Sequence, residues 1–309
     1  MNRKVLVLLA LIIIPDLAFS QYKAKRRSVS KRWKSYRYEF DFGIGASNFL
    51  GDLGGANQIG TNYFRDLEFS MTRVAAQIGM RYRISPTFAI HPHIYYGKIA
   101  GDDKLTDEFY RNYRNLNFKS NVWEASINFE AFLLREQMGH RYKLRGVRGR
   151  KSSETGLYIF AGIGGFYFNP KGQLGNTWYN LHPLHTEGQN LVETRKHYRR
   201  IQLTIPVGMG VKYQFDRRVG MTFEYGIRKT FTDYMDDVSK TYYDKTALEQ
   251  NFGTLSPQLS DKSDGAWPNT GGTGAGQQRG DPRDKDSYMM AIISITYKLH
   301  RGRVNYPIF

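Results

Sequence analysis

His91 and His93 lie two residues apart, a spacing that puts both imidazoles on one face of an extended strand. So placed, they could ligate a transition metal, or one could serve as the base of a lipid-modifying hydrolase. The sequence fixes no acid or Ser beside them, so the favoured reading is a pair of polar side chains in a polar interior. Asp233, Asp236 and Asp237, and later Asp281, Asp284 and Asp286, could bind Ca²⁺ weakly. Neither group has the regularly spaced oxygen ligands and closing Glu of a calcium loop, so both are expected as solvated acidic loop. Gly43, Gly45 and the run Gly51-Asp52-Leu53-Gly54-Gly55 do not make a phosphate loop, because no helix follows them. They are expected to thin a wall or turn a strand end. With no cysteine there is neither a disulfide framework nor a thiolate metal site. No catalytic residue, cofactor or metal is expected.

The elements that carry these residues read as strands. Tyr36, Tyr38, Phe40, Phe42, Ile44 and Ala46 alternate with Arg37, Glu39, Asp41, Gly43, Gly45 and Ser47 over 36–49. Ile201 to Phe215 alternates as cleanly, and its eight apolar positions make it long for a globular sheet. Weaker alternation marks 74–84, 88–100 (with Pro92 inside), 123–133, 219–231 and 287–299, whereas 157–168 is apolar on both faces. Short connections at Ser85-Pro86 and Asp216-Arg217-Arg218 alternate with long ones at about 50–67, 101–121, 169–200 and 232–286. This pattern predicts an all-β fold, an eight-stranded antiparallel transmembrane up-and-down β-barrel with long extracellular loops and periplasmic termini. The inward charges Glu39, Asp41, Arg81, Arg83, Glu124, Glu130, Lys212, Glu224 and Arg228 are then expected to pair in a side-chain-filled interior without an open pore.

The chain begins like an export signal. Arg3 and Lys4 precede a ten-residue apolar run, Val5 to Ile14, and Ala18-Phe19-Ser20 forms a small-x-small cleavage site. The expected organisation is a signal peptide over 1–20, a basic arm over 21–35, the barrel over 36–299 and a tail over 300–309. The formal net charge of +17 is unevenly placed. Lys23, Lys25, Arg26, Arg27, Lys31, Arg32 and Lys34 crowd the arm. Arg135, Arg141, Lys143, Arg145, Arg148, Arg150 and Lys151 crowd one connection, with Lys298, Arg301 and Arg303 near the end. The topology puts all of these at the periplasmic side, whereas 232–286 holds ten acids against six bases. A one-sided basic face attracts an acidic partner or anionic lipid headgroups. Nucleic acid is not expected as a partner of an exported protein.

The stretch from Tyr38-Glu39-Phe40 through Gly43-Ile44-Gly45-Ala46-Ser47-Asn48-Phe49-Leu50 to Gly51-Asp52-Leu53-Gly54-Gly55 resembles the opening strand of the PorG-like outer-membrane proteins of the Bacteroidota. Met80-Arg81-Tyr82 and Pro206-Val207-Gly208 continue the likeness in outline. The resemblance implies a non-enzymatic component of the type IX secretion system, which drives protein export and, in gliding species, adhesin delivery. It implies as partners a periplasmic ring lipoprotein with its soluble subunit, besides outer-membrane lipid. The basic residues of the arm and the 135–151 connection would hold that partner. Gly51, Asp52, Leu53, Gly54 and Gly55 are the signature, with Asp52 expected to cap its own loop in an Asx-turn. Two other readings stand beside this one: a lipid A-modifying enzyme centred on His, and an adhesin or structural barrel acting through its long outer loops.

Overall fold

The computed structural model describes residues 31–53, 69–105, 109–136, 154–263 and 272–300. Ten strands follow in chain order: β1 Tyr38–Leu50, β2 Arg73–Arg83, β3 Phe88–Asp102, β4 Asn117–Leu134, β5 Thr155–Phe168, β6 Lys171–Leu174, β7 Thr177–Asn180, β8 Ile201–Gln214, β9 Val219–Thr230 and β10 Ser287–Leu299. Eight of them close a barrel in the order β1-β2-β3-β4-β5-β8-β9-β10, every neighbour antiparallel. The seam is continuous from Tyr38↔Leu299 to Leu50↔Ser287, so no ladder edge is left open.

Side-chain polarity is inverted relative to a soluble barrel. Val74 is 73% exposed and Ile295 65%, whereas Arg81, Glu130 and Lys212 are fully buried. Alternation drives this: in β8 the odd-numbered apolar residues face out while Thr204 and Lys212 face in. An apolar belt around a closed barrel is stable only in lipid, where all backbone groups must be bonded within the protein. The protein is therefore an outer-membrane β-barrel, with tight turns at the periplasmic end and long loops at the other. At Ser85 the hydroxyl accepts from the N–H groups of Thr87 and Phe88, which tightens the β2–β3 turn. In the β8–β9 turn Phe215 N donates to Val219 O (3.1 Å).

The expected strands are found within a few residues. The differences lie above the membrane. β3 and β4 continue as a hairpin to Asp102↔Asn117, so the connection expected over 101–121 is shorter. The 169–200 connection contains the β6–β7 hairpin, turned at Gly175 with φ +59 and joined to β4 at Lys119↔Lys171. The dipeptide Gly175-Asn176 is a hairpin signal that marks it. The 232–286 connection carries two helices, α2 Lys245–Phe252 and α3 Leu255–Ser260, and α1 Phe109–Arg114 follows β3. Asp244 caps α2 by accepting from Thr246 N, and Gly253 ends it at φ +84.

Pro92 has a visible cost. The β2–β3 pairing is interrupted between Gly79↔His93 and Tyr82↔Ile90, with the register unchanged, where proline has no N–H to give. The strand β5, apolar on both faces, packs outward with Ile163 and inward with Tyr158, Phe160, Phe166 and Phe168. Phe166 and Phe168 join Phe49, Tyr95, Phe118 and Tyr288 to fill the upper lumen, whereas Tyr158 and Phe160 pack with Ala89 and Phe132 in a separate cluster.

Candidate functional site

The lumen holds six buried carboxylates, Glu39, Asp41, Glu124, Glu130, Glu136 and Glu224, against Arg81, Arg83, Lys212, Arg228, Lys298 and His91. Arg81, on β2, is central. Its Nη1 donates to Glu39 (2.7 Å), its Nε to Glu130 (2.6 Å) and its Nη2 to Glu224 (2.9 Å). Below it Lys212 bonds Glu39, Arg83 bonds Glu136, and Lys298 bonds Glu136 (2.7 Å). Lys298 was expected in the basic periplasmic face. It points inward instead, because the β10 alternation carries it to the lumen face, where it pairs with Glu136, just past the end of β4.

His91 sits in this lattice, with Nε2 2.8 Å from Asp41 Oδ1 and Nδ1 3.0 Å from Glu130 Oε1. Gly79 makes the pair possible: a Cβ there would lie 2.4 Å from His91 Nε2 and 2.9 Å from Asp41 Oδ1. His91, Glu130 and Glu224 bring donor atoms within 4.8 Å of one another. The Arg81 guanidinium already bonds both carboxylates, so the position a metal would take is filled by a fixed cation. His93 meets an unexpected set: Ser126 Oγ is 2.9 Å from its Nε2 and 2.7 Å from Glu124 Oε1. These residue types suit a hydrolase, but all three are buried in the lumen, on the face away from lipid. Tyr288 also donates to Glu124 (2.6 Å), tying the group to the aromatic fill above.

Above the barrel the loops form an ordered cap. Arg114 bonds both oxygens of Asp103 (2.7 and 2.9 Å) and the carbonyls of Arg279 (2.5 Å) and Asp52 (2.7 Å). Arg279 donates to Glu187 (3.0 Å) and to the Asp237 and Ser260 carbonyls. Glu187 in turn accepts from Ser239 N (2.8 Å), and Asp237 accepts from Tyr198 OH (2.7 Å) and the Thr186 hydroxyl. Three histidines not singled out by sequence, His182, His185 and His197, stack with ring centroids 3.9 and 4.3 Å apart, and His185 lies on Phe252 of α2. Burial holds the His182 ring down to about 4 and lowers His185 and His197 as well, which disfavours charge in the stack. Three of the seven histidines lying in one connection was the legible signal.

The signature residues Gly51, Asp52 and Leu53 enter this cap; Gly54 and Gly55 lie outside the described residues. The Asp52 carboxylate, expected to cap its own loop, bonds a remote segment. Its Oδ2 accepts from Asp281 N, 229 residues on (2.9 Å), while Leu53 N donates to Asp236 Oδ2 (3.1 Å) and the Leu53 side chain joins the upper core. The acidic residues expected as solvated loop are also different from expectation. Asp233, Asp236, Asp237 and Asp286 are buried, because the cap folds over them, whereas Asp284 is exposed. Burial pushes Asp52 up to about 6 and Asp233 to about 7. Asp236 is raised well above its ordinary value by burial first and then by the Asp52 and Asp233 carboxylates, and Asp286 likewise by burial and then by Asp236, Asp233 and Asp52.

Of the basic residues assigned to a periplasmic partner, Lys34 and Arg135 are exposed at the tight-turn end, and Lys31 and Arg32 belong to the 3₁₀ turn Lys31–Tyr36 before β1. Lys23, Lys25, Arg26, Arg27, Arg141, Lys143, Arg145, Arg148, Arg150 and Lys151 lie outside the described residues. The family model for a domain of unknown function, DUF6089, matches residues 29–258, from the basic arm through β9 into the long loop. The chain belongs to this family. The DUF6089 match covers the signature, the lumenal charges other than Lys298, and the Asp233–Asp237 turn. No curated protein sequence matches the chain. Among solved structures it is similar to the attachment invasion locus protein Ail of Yersinia pestis, at 7% identity and TM-score 0.35 over 84% of this chain and 97% of that one. It is also similar to Neisserial surface protein A (9%, TM-score 0.34, 84% and 96%) and to OprG from Pseudomonas aeruginosa (10%, 0.34, 86% and 98%). The architecture rests on the strand register and the inverted polarity described above, not on these likenesses.

Proposed function

We propose that this DUF6089 barrel is a non-enzymatic docking subunit of the outer membrane, serving the type IX secretion machine by holding a periplasmic ring lipoprotein and its soluble partner through a basic periplasmic face. The observation that carries the reading is where charge is spent. The described lumenal charges are locked in a lattice that closes the barrel, so the barrel is built as an anchor rather than a conduit. Cations at the tight-turn end, Lys34, Arg135 and Arg218, remain exposed. Long-range attraction to an acidic surface then favours encounter and orientation. The resemblance of the β1 region to PorG-like proteins supplies the identity of the machine.

The test is purification of the tagged protein from native membranes in mild detergent at low salt. Acidic ring proteins should co-purify and fall away as salt rises. Charge reversal at Arg135, Arg141, Lys143 and Arg145 should abolish that association and secretion while the barrel still inserts. Normal assembly and secretion in that variant would remove the reading. A second reading, an outer-surface structural or adhesive role, draws on the ordered cap; trimming 232–286 should then abolish surface binding. The enzyme reading has a His–Ser–Glu group but no lipid access to it, and unchanged lipid A in a knockout would close it.

A further inference from the structure

The lipid-facing side of the barrel wall ends, on three adjacent strands, in a row of rings. Tyr96 of β3 pairs with Trp123 of β4, and Trp123 pairs with Tyr167 of β5, so the three stand at one level. Below them the outward positions of β4 are apolar as far as Leu133, and Trp123 is itself 53% exposed. Such rings mark the boundary between acyl chains and headgroups. Above the row the same face turns basic. Lys98 stands two residues above Tyr96, Lys119 four residues above Trp123, and Lys171 of β6 is the register partner of Lys119. At roughly 3.3 Å per residue the lysines begin about 7 Å above the rings along the strand, at headgroup depth. The pairs Lys98↔Asn121 and Ala100↔Lys119 make Lys98 and Lys119 diagonal neighbours. Like charges so placed repel one another. Among the described residues no carboxylate forms an ion pair with any of the three. The acid next in register, Asp102, accepts from Lys104 N (3.0 Å), and Lys119 Nζ lies 3.9 Å from the ring centroid of Trp178 on β7. The upper outward register positions of β1 and β10, such as Asn48, Leu50 and Met289, carry no charge, so the basic cluster belongs to one side of the wall.

We propose that Lys98, Lys119 and Lys171 form a docking surface for the phosphate monoester of an outer-leaflet saccharolipid of the lipid A class, with its acyl chains against the Tyr96–Trp123–Tyr167 face. The anion is carried by a lipid because the cluster stands on the lipid side of the wall, directly above the apolar belt. A phosphate monoester carries about −1.5 to −2 near neutral pH, against a single charge on a phosphodiester, and so matches three gathered cations better. Each lysine can donate a charge-assisted hydrogen bond to one of its oxygens. The headgroup then relieves the repulsion among the lysines and bridges β3, β4 and β6, bracing the β6–β7 hairpin where it rises from the membrane. This inference rests on the outer-membrane location and is independent of the periplasmic docking role.

The experiment uses the full-length protein in detergent micelles and native mass spectrometry. Three lipids are titrated: lipid A carrying a single phosphate monoester, the same lipid after phosphatase treatment, and phosphatidylglycerol. One monophosphorylated lipid A per barrel is expected, held at least tenfold more tightly than either of the others and released as salt rises. The triple variant Lys98→Gln, Lys119→Gln, Lys171→Gln should lose that affinity at least tenfold. Lys229→Gln, at an exposed cation on the outer face of β9, should leave it unchanged. The triple variant breaks no ion pair, and unchanged heat-modified mobility on gels checks that it folds; if it does not, Lys98→Gln alone, expected to lose at least threefold, carries the test. Equal retention of lipid A with and without its phosphate would overturn the site, as would wild-type affinity in the folded variants. Phosphatidylglycerol held as tightly as lipid A would also overturn it, reducing the lysines to general headgroup contacts.

Discussion

The lumen and the extracellular cap of this barrel face the same problem and meet it differently. Both bury several carboxylates out of water. In the lumen each acid has a cation built into the strands: Glu39, Glu130 and Glu224 share Arg81, and Glu136 takes Arg83 and Lys298. In the cap Asp52, Asp233, Asp236 and Asp286 gather with backbone N–H groups but without a dedicated cation. The strands supply a fixed lattice for permanent closure. The loops supply a group of carboxyls that burial drives toward the protonated form, so the cap can respond to pH changes that leave the barrel untouched.

The sharpest way to break this contrast is Arg81→Ala. It leaves three buried carboxylates without their shared partner, and removing one side of a buried pair costs about 3–5 kcal/mol. Denaturant unfolding in detergent should show a loss at least that large, or a barrel that no longer folds. A wild-type midpoint would mean the lattice contributes little to closure. The cap counterpart is Arg114→Ala, which frees Asp103 and two carbonyls; charge-assisted bonds suggest a loss of about 2–3 kcal/mol in the cap. Limited proteolysis should cut the loops faster in this variant while the barrel's heat-modified mobility on gels stays unchanged. Equal damage to both regions would show that they fold as one unit.

A pH series separates the regions further. The cap carboxyls hold protons more tightly folded than unfolded, with Asp233 at about 7 and Asp52 at about 6 against ordinary values near 4. The folded cap then binds more protons than the open one, so its stability rises as pH falls through that range and drops as pH rises through 6 to 7. Proteolysis of 232–286 should therefore be slower at pH 5.5 than at pH 8. A flat profile would show that the cluster is not buried as described.

The same contrast explains what could be read from sequence. Alternation in 36–49 and 201–215 fixes which side chains face lipid, and so delivers the strands, their order and the lumenal charges directly. Lys298 was misplaced because charge counting ignores parity: it is an even residue on a strand whose odd residues, Ile293, Ile295 and Tyr297, face out. The pairing of Ser126 with His93 was not legible, because it depends on the β3–β4 register, His93↔Ser126, which spacing within one strand does not give. The cap was least legible. Asp52, Asp236 and Asp281 meet across some 180 to 230 residues, through loops with no period to follow, and clustered acids in a loop look like solvated charge until the register brings them under cover.

A smaller effect tests the comparison inside the cap itself. Asp237 is the one member of its turn that has lumen-style partners: it accepts from Tyr198 and Thr186, beside Arg279. Asp233, four residues earlier, has no close hydrogen-bond partner. At pH 8, Asp237→Asn should cost about 1 kcal/mol, since an amide oxygen keeps part of that acceptor role and the remainder is lost. Asp233→Asn should instead leave the cap as stable or slightly more so, because it removes a buried charge and breaks no close hydrogen bond. Opposite shifts in the loop-cleavage rate would confirm that partnering, not mere acidity, decides what each carboxylate does. Matching losses would mean that Asp233 has a structural partner after all, and the distinction between a completed lattice and an open one would fail at its smallest scale.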